Sequence, residues 1–164
     1  MLSEGLVQEV VDANQLGFDE LKQILYPHKQ NGSFLLLDDS MHLINNDISR
    51  LFTEGVHHWQ TNICFVSQSL FIQNDNYRTM SLNASYIILM RNIRDKRQIH
   101  TLARQYVPHR PSFLVESFTQ ATSSPFSYLV LDCRNDSCDL TRIRTRVFPD
   151  QAPLTVFVEN STYK

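Results

Sequence analysis

Two adjacent carboxylates, Asp38 and Asp39, close the apolar run Ser33-Phe34-Leu35-Leu36-Leu37. Large apolar residues in unbroken succession, after the turn Lys29-Gln30-Asn31-Gly32, fit a strand buried on both faces, the kind found in parallel sheets. Acids at the C-terminal end of such a strand lie where open α/β sheets bind ligands. The chemistry on offer is phosphoryl transfer. One carboxylate would hold the water shell of Mg²⁺, and the other would orient or deprotonate an attacking water. This is the layout of a Walker B strand, although a strand end capped by two solvated aspartates gives the same pattern. Gln68 ends the next apolar run, Asn62 to Gln68, where a polar side chain can meet a γ-phosphate. A glutamine at a strand end is equally an ordinary loop residue.

Charge divides the chain. Residues 1–60 hold nine acids against three bases, and residues 61–164 hold eight acids against twelve bases, for −2 overall. From Arg78 to Arg110 seven bases (Arg78, Arg91, Arg94, Lys96, Arg97, Arg104, Arg110) accompany a single acid, Asp95. Arginine outnumbers lysine 11 to 4, and its planar fork suits phosphate oxygens better than an ammonium does. Such a face either binds an anionic polymer or simply meets water. Tyr77, Tyr86 and Tyr106 near it could stack on bases or pack in a core. The remaining reactive groups are poorly placed. Neighbours on a helix such as His57 and His58 diverge, which makes them a weak metal pair. Cys133 and Cys138 have no second Cys/His pair at zinc spacing, and Cys64 inside an apolar run reads as a small core residue.

The elements that must position these groups follow from periodicity. With 164 residues, 42% hydrophobic and 20% charged, the chain suits one globular domain over 1–164. No apolar run reaches the roughly 20 residues of a membrane-crossing helix. The start lacks the basic and apolar regions of a signal peptide, and three cysteines make no secreted disulfide framework. An intracellular chain without membrane contact is expected. Helical spacing predicts helices at Leu6–Ala13, Phe18–Tyr26, Asp47–Trp59, Arg94–Tyr106 and Phe113–Ala121. Strands are predicted at Phe34–Leu37, Asn62–Gln68, Ala84–Met90 and Tyr128–Asp132, with edge strands within Thr141–Glu159. Gln68 to Asn83 reads as polar and irregular. Strand–helix alternation predicts a three-layer α/β fold around a mostly parallel sheet.

Several stretches, in order, resemble the poxvirus-like branch of the FtsK/HerA-type genome-packaging ATPases, a P-loop NTPase group of large double-stranded DNA viruses and related mobile elements. They are Glu4-Gly5-Leu6, Leu36-Leu37-Asp38-Asp39-Ser40-Met41, Leu51-Phe52-Thr53-Glu54-Gly55-Val56-His57-His58 and Val66-Ser67-Gln68-Ser69-Leu70-Phe71. The set continues with Arg78-Thr79-Met80-Ser81-Leu82-Asn83, Asn92-Ile93-Arg94-Asp95-Lys96, Leu102-Ala103-Arg104-Gln105, Tyr128-Leu129-Val130-Leu131-Asp132 and Arg142-Ile143-Arg144-Thr145. The resemblance runs from about Glu4 to Pro149.

It implies Asp38 as the acid on the Mg²⁺ side, acting through water, Asp39 as the catalytic acid, and Gln68 as the γ-phosphate sensor. Arg78 or Arg94, with Arg104 behind them, would reach a neighbouring subunit's γ-phosphate and stabilise charge on the transferred group. Arg91, Arg97 and Arg104 would contact nucleic acid. The implied cofactors are ATP and Mg²⁺. The implied partners are double-stranded DNA, further copies in a homo-oligomeric ring, and a separate fragment bearing the Walker A loop. The implied setting is the host cytoplasm or nucleus, where virions assemble. One departure stands out: no G-x-x-x-x-G-K-[ST] occurs, and Gly5, Gly17, Gly32 and Gly55 are isolated. A phosphate cradle needs a run of backbone N–H groups and that lysine. The resemblance therefore implies the C-terminal portion of an ATPase core, a P-loop NTPase-like fold incomplete at its N-terminal side, inactive alone and with an apolar sheet edge open to association. A truncated gene, one piece of a split ATPase and a decayed enzyme all fit. The competing expectation is a non-catalytic assembly or nucleic-acid-binding module derived from such an ATPase.

Overall fold

The computed structural model describes residues 17–38, 40–151 and 153–159; the expected helix at Leu6–Ala13 and the second aspartate, Asp39, lie outside them. The chain forms two compact units, Met1–Asn83 and Ala84–Lys164.

In the first unit, α1 (Phe18–Leu25) buries Phe18, Leu21 and Leu25 along one face. Its first turn is closed by Glu20, whose Oε2 accepts the Gly17 N–H at 3.1 Å. A turn through Gly32, at φ +74°, leads into β1 (Ser33–Leu37). Asn45 starts the next helical stretch by accepting the Ile48 N–H on its side chain at 3.0 Å. That stretch, expected as one helix, is α2 (Asn46–Arg50), a wide π turn (Leu51–Gly55) and α3 (Val56–Trp59). Gly55 lets the Trp59 ring come close, since a Cβ there would stand 3.2 Å from ring carbons. Trp59 in turn packs on Phe18 with ring centroids 4.9 Å apart. β2 (Thr61–Phe65) then pairs parallel with β1, with Leu35 opposite Ile63 and Leu37 opposite Phe65.

The stretch from Gln68 to Asn83, expected to be irregular, contains α4 (Asp75–Asn83). Its cap is local and strong: Asn74 Oδ1 accepts the N–H groups of Asn76 at 2.8 Å and Tyr77 at 3.2 Å. Met80 carries α4 into the core formed by Leu21, Leu37, Ile48, Leu51 and Trp59.

The second unit runs β3 (Tyr86–Met90), α5 (Arg97–Tyr106), α6 (Pro111–Ala121), β4 (Tyr128–Asp132), β5 (Ile143–Thr145) and β6 (Thr155–Val156). Its strands lie in the order β3-β4-β5-β6, each neighbour antiparallel. The expected mostly parallel, three-layer P-loop-type sheet is therefore not the fold. The observed sheets are a parallel pair and a separate antiparallel four-strand sheet. The cause is the number of helices between strands. One helix returns a chain so that the next strand runs parallel. Between β3 and β4 there are two, α5 and α6, packed together across the short turn Val107–Arg110, and the second reverses the direction again. The β4–β5 connection carries only the 3₁₀ turn Asp139–Thr141, too little for a parallel crossover.

The expectation of strands buried on both faces also needs correcting. Among the strands of the described residues only β4 is buried throughout. β1 alternates, with Phe34 67% and Leu36 55% exposed, as does β3, with Ile88 58% and Met90 60% exposed.

Candidate functional site

The parallel pair sets the geometry around Asp38 and Gln68. Leu37 and Phe65 are the last paired residues of β1 and β2, and one step further the Val66 N–H donates to Leu37 O at 2.9 Å. Asp38 and the Ser67–Gln68 segment therefore leave the sheet side by side, at the C-terminal ends of parallel strands. Both loops are fixed. Ser40 Oγ donates to Asp38 O at 2.9 Å. Ser67 Oγ lies 2.7 Å from Ser69 O, which also accepts the Tyr77 hydroxyl at 2.8 Å. Ser67 Oγ also reaches Met41 Sδ at 3.4 Å, so the loop after β1 touches the loop after β2. Asp38 and Gln68 are both exposed. Burial pushes the Cys64 thiol up, and the nearby negative charge of Asp38 adds to this, as expected of a thiol beside a carboxylate.

The arginines singled out from the sequence are divided between the two units. Arg78 sits exposed on α4 in the first unit, whereas Arg94 is exposed on the β3–α5 loop of the second. Arg91 follows β3. Arg97 and Arg104 lie seven residues apart on α5, on the side opposite buried Ile99, Leu102 and Ala103. This spacing lines them up along one helix face.

The densest charge cluster is one that sequence reasoning did not single out. Asp132, at the end of β4, is fully buried. Its Oδ1 accepts Arg134 Nε at 3.0 Å, and its Oδ2 accepts Arg134 Nη2 and Arg144 Nη2, each at 3.0 Å. Its backbone oxygen accepts the Tyr106 hydroxyl at 2.7 Å and Arg142 Nη1 at 3.1 Å. Arg142 spans the loop below through Ser137 O at 3.1 Å and Asp139 Oδ1 at 2.7 Å. Arg134 and Arg144 both lie over the Tyr86 ring, with centroid distances of 5.1 and 5.8 Å. The Arg134 bonds hold the Asp132 carboxyl far below the usual range. Burial first, then surrounding charges, push the Tyr106 phenol up to about 12. Every oxygen of Asp132 is satisfied, so the cluster ties β4, β5 and α5 together rather than offering a reactive group. The signal was an acid ending an apolar strand with arginines two and twelve residues on.

Among the described residues no three His, Cys, Asp or Glu side chains gather as metal ligands. Asp38 nevertheless fits an outer-sphere role, because Mg²⁺ keeps most of its waters and needs only one or two carboxylates beside substrate phosphates. No family model, curated protein or solved structure matches the chain.

Proposed function

We propose that this chain supplies the acid-and-sensor part of an ATP-hydrolysing core in a ring-forming motor that moves double-stranded DNA, as in viral genome packaging. The observation that carries the reading is the shared edge of β1 and β2, where Asp38 and Gln68 emerge from adjacent parallel strand ends. In this reading Asp38 holds the water shell of the ion, Asp39 takes the proton of the attacking water, and Gln68 hydrogen-bonds the γ-phosphate and orients that water. Bound Mg²⁺ would offset charge on the β- and γ-phosphates. Arg78 or Arg94 would serve a neighbouring copy's γ-phosphate, and Arg91, Arg97 and Arg104 would meet the DNA backbone, which makes binding fall steeply with salt. The 164 residues hold no G-x-x-x-x-G-K-[ST], so in this reading the phosphate cradle comes from a segment outside this sequence. The non-catalytic assembly module is favoured instead by the uncovered apolar strands β1 and β3.

The test begins with the DNA upstream of the Met1 codon, read for an in-frame Walker A loop, and with a neighbouring gene as the other source. Coexpression or fusion of that segment should give Mg²⁺-dependent ATP hydrolysis. Asp39→Asn should then lower the rate by about 10²–10⁴-fold, and Gln68→Ala should lower it as well. Hydrolysis indifferent to both substitutions would refute the reading. Salt-sensitive DNA binding without hydrolysis in the completed protein would establish the assembly module.

A further inference from the structure

Strand register gathers three loops at one end of the antiparallel sheet. Met90 stands opposite Tyr128. The pairing of Val130 with Arg144 brings the end of β5 beside the start of β4, where the Thr145 hydroxyl donates to Tyr128 O. That of Thr145 with Thr155 brings the start of β6 to the same end. Large apolar side chains are exposed at this end: Met90 60%, Ile93 73%, Phe126 90%, Phe148 55% and Leu154 55%. The other end of β4 holds buried Asp132.

Two of these loops carry backbone strain. Phe126 sits at φ +59° and Arg146 at φ +56°, two of the three non-glycine residues with positive φ among the described residues. Left-handed backbone is costly for a bulky side chain and persists where the surroundings impose it, often at functional surfaces. Burial does not explain Phe126, which is almost entirely in water. Tyr128 braces the neighbouring loop: its hydroxyl accepts the Val147 N–H at 3.2 Å, and its ring meets Phe148 edge-on with centroids 6.0 Å apart.

The charge at this end is mainly positive. Arg91, Arg94 and Arg146 are exposed on the same loops. The acids there are Asp95 and Asp150, and the Asp95 carboxylate already accepts the Arg97 N–H at 3.1 Å and the Gln98 side chain at 2.8 Å.

We propose that this end of the second unit docks an acidic segment of another protein, with apolar side chains seated against Phe126 and Phe148. The arginines supply the charge complementarity. Exposed Phe and Met beside Arg is the composition of protein–protein interface centres. A nucleic acid would make little use of Met90, Ile93 and Leu154, and a lipid surface favours Trp and Tyr at the headgroup level. The inference competes with the proposed nucleotide chemistry for Arg91 and Arg94, and Phe126, Phe148 and Arg146, which have no part in that chemistry, carry it without them.

The probe is a fluorescent pool of peptides of about twelve residues, built from Asp, Glu, Leu and Phe, read by anisotropy against a pool with Lys in place of the acids. The acidic pool should bind the full chain, and Phe126→Asn and Arg146→Asn should each weaken it by about tenfold. Asparagine tolerates left-handed backbone, so both variants should stay folded with a melting temperature equal to or above the parent's. Acidic and basic pools binding alike, or variants binding like the parent, would overturn the proposal. So would Phe126-dependent sedimentation with phosphatidylserine vesicles in the absence of peptide binding, which would assign the surface to a membrane. Loss of an oligomer of this chain in Phe126→Asn would assign it to a second copy and overturn the proposal equally.

Discussion

Replacing Asp132 with asparagine removes one charge from the centre of the second unit and leaves its shape almost unchanged. Two charge-assisted bonds end on Oδ2, from Arg134 Nη2 and Arg144 Nη2, each at 3.0 Å. The introduced amide points donors at both guanidinium groups, so both bonds are lost. Bonds to charged groups contribute about 1.5–3 kcal/mol each, and breaking a buried pair costs about 3–5 kcal/mol when the remaining charge stays dry. Here the remaining charges are only partly dry: the Arg134 side chain is 43% exposed and that of Arg144 is 20% exposed, so water recovers part of the loss. The net expectation for Asp132→Asn is about 2–3 kcal/mol of destabilisation. With an m value of about 2 kcal/mol per M, the urea midpoint falls by about 1–1.5 M. Acid sensitivity gives the second readout. Because folding depresses this carboxyl, its stabilisation is present above the unfolded carboxylate value of about 4 and is lost as pH falls below it. The parent should weaken as pH falls below about 4 more steeply than Asp132→Asn. Circular dichroism of urea unfolding at several pH values measures both quantities. A variant within about 0.5 kcal/mol of the parent, or with the same acid profile, would refute the assignment of Asp132 as a stabilising ion-pair centre.

Tyr106→Phe removes the bond to Asp132 O and should cost about 1 kcal/mol near neutral pH. Because the folded phenol is raised to about 12, the parent should also lose stability as pH rises from about 10 towards 12, a loss the variant lacks; absorbance titration at alkaline pH checks this. Asn74→Ala leaves the first N–H groups of α4 without their acceptor and should cost about 1 kcal/mol, seen in urea unfolding and in faster amide exchange of Asn76 and Tyr77. Gly32→Ala meets no steric block, since its nearest contact is Gln60 O at 3.7 Å. Its cost of about 1–2 kcal/mol should come from the left-handed backbone alone, and Gly32→Asn should recover part of it.

Local pattern was legible where local chemistry decides. The run Tyr128–Asp132 forms a strand over those same residues, and Phe18 onward forms a helix that ends one residue before the predicted limit. The segment Asp47–Trp59 is helical but contains a π turn that apolar spacing does not reveal. Helix α4 was missed because Gln68–Asn83 is polar, although Asn74-Asp75 carried the capping signal. Sheet pairing was misread because apolar runs report hydrophobicity rather than neighbours. Phe34, Leu36, Ile88 and Met90 belong to such runs and face water. Two successive helices between β3 and β4 were visible in the sequence, and counting them gives the antiparallel pairing. At the candidate site, the emergence of Asp38 and Gln68 from neighbouring strand ends was legible from spacing alone. The Asp132 cluster was written only in an acid ending an apolar run with Arg134 two residues on, and the closing contact from Arg144 depends on pairing across the hairpin.

The π turn at Leu51–Gly55 bears on how the gene can change. It holds one residue more than an ordinary helical turn needs. Loss of a single codon here would heal the helix and leave Val56 onward close to its present phase, because the wide turn is what absorbs the extra residue. The Trp59 indole would stay against Phe18, and the connection to β2 would start from the same side. Loss of one residue should therefore be tolerated within Leu51–Gly55 but not in the Cys133–Cys138 loop, where Arg134 holds Asp132 and Ser137 O holds Arg142.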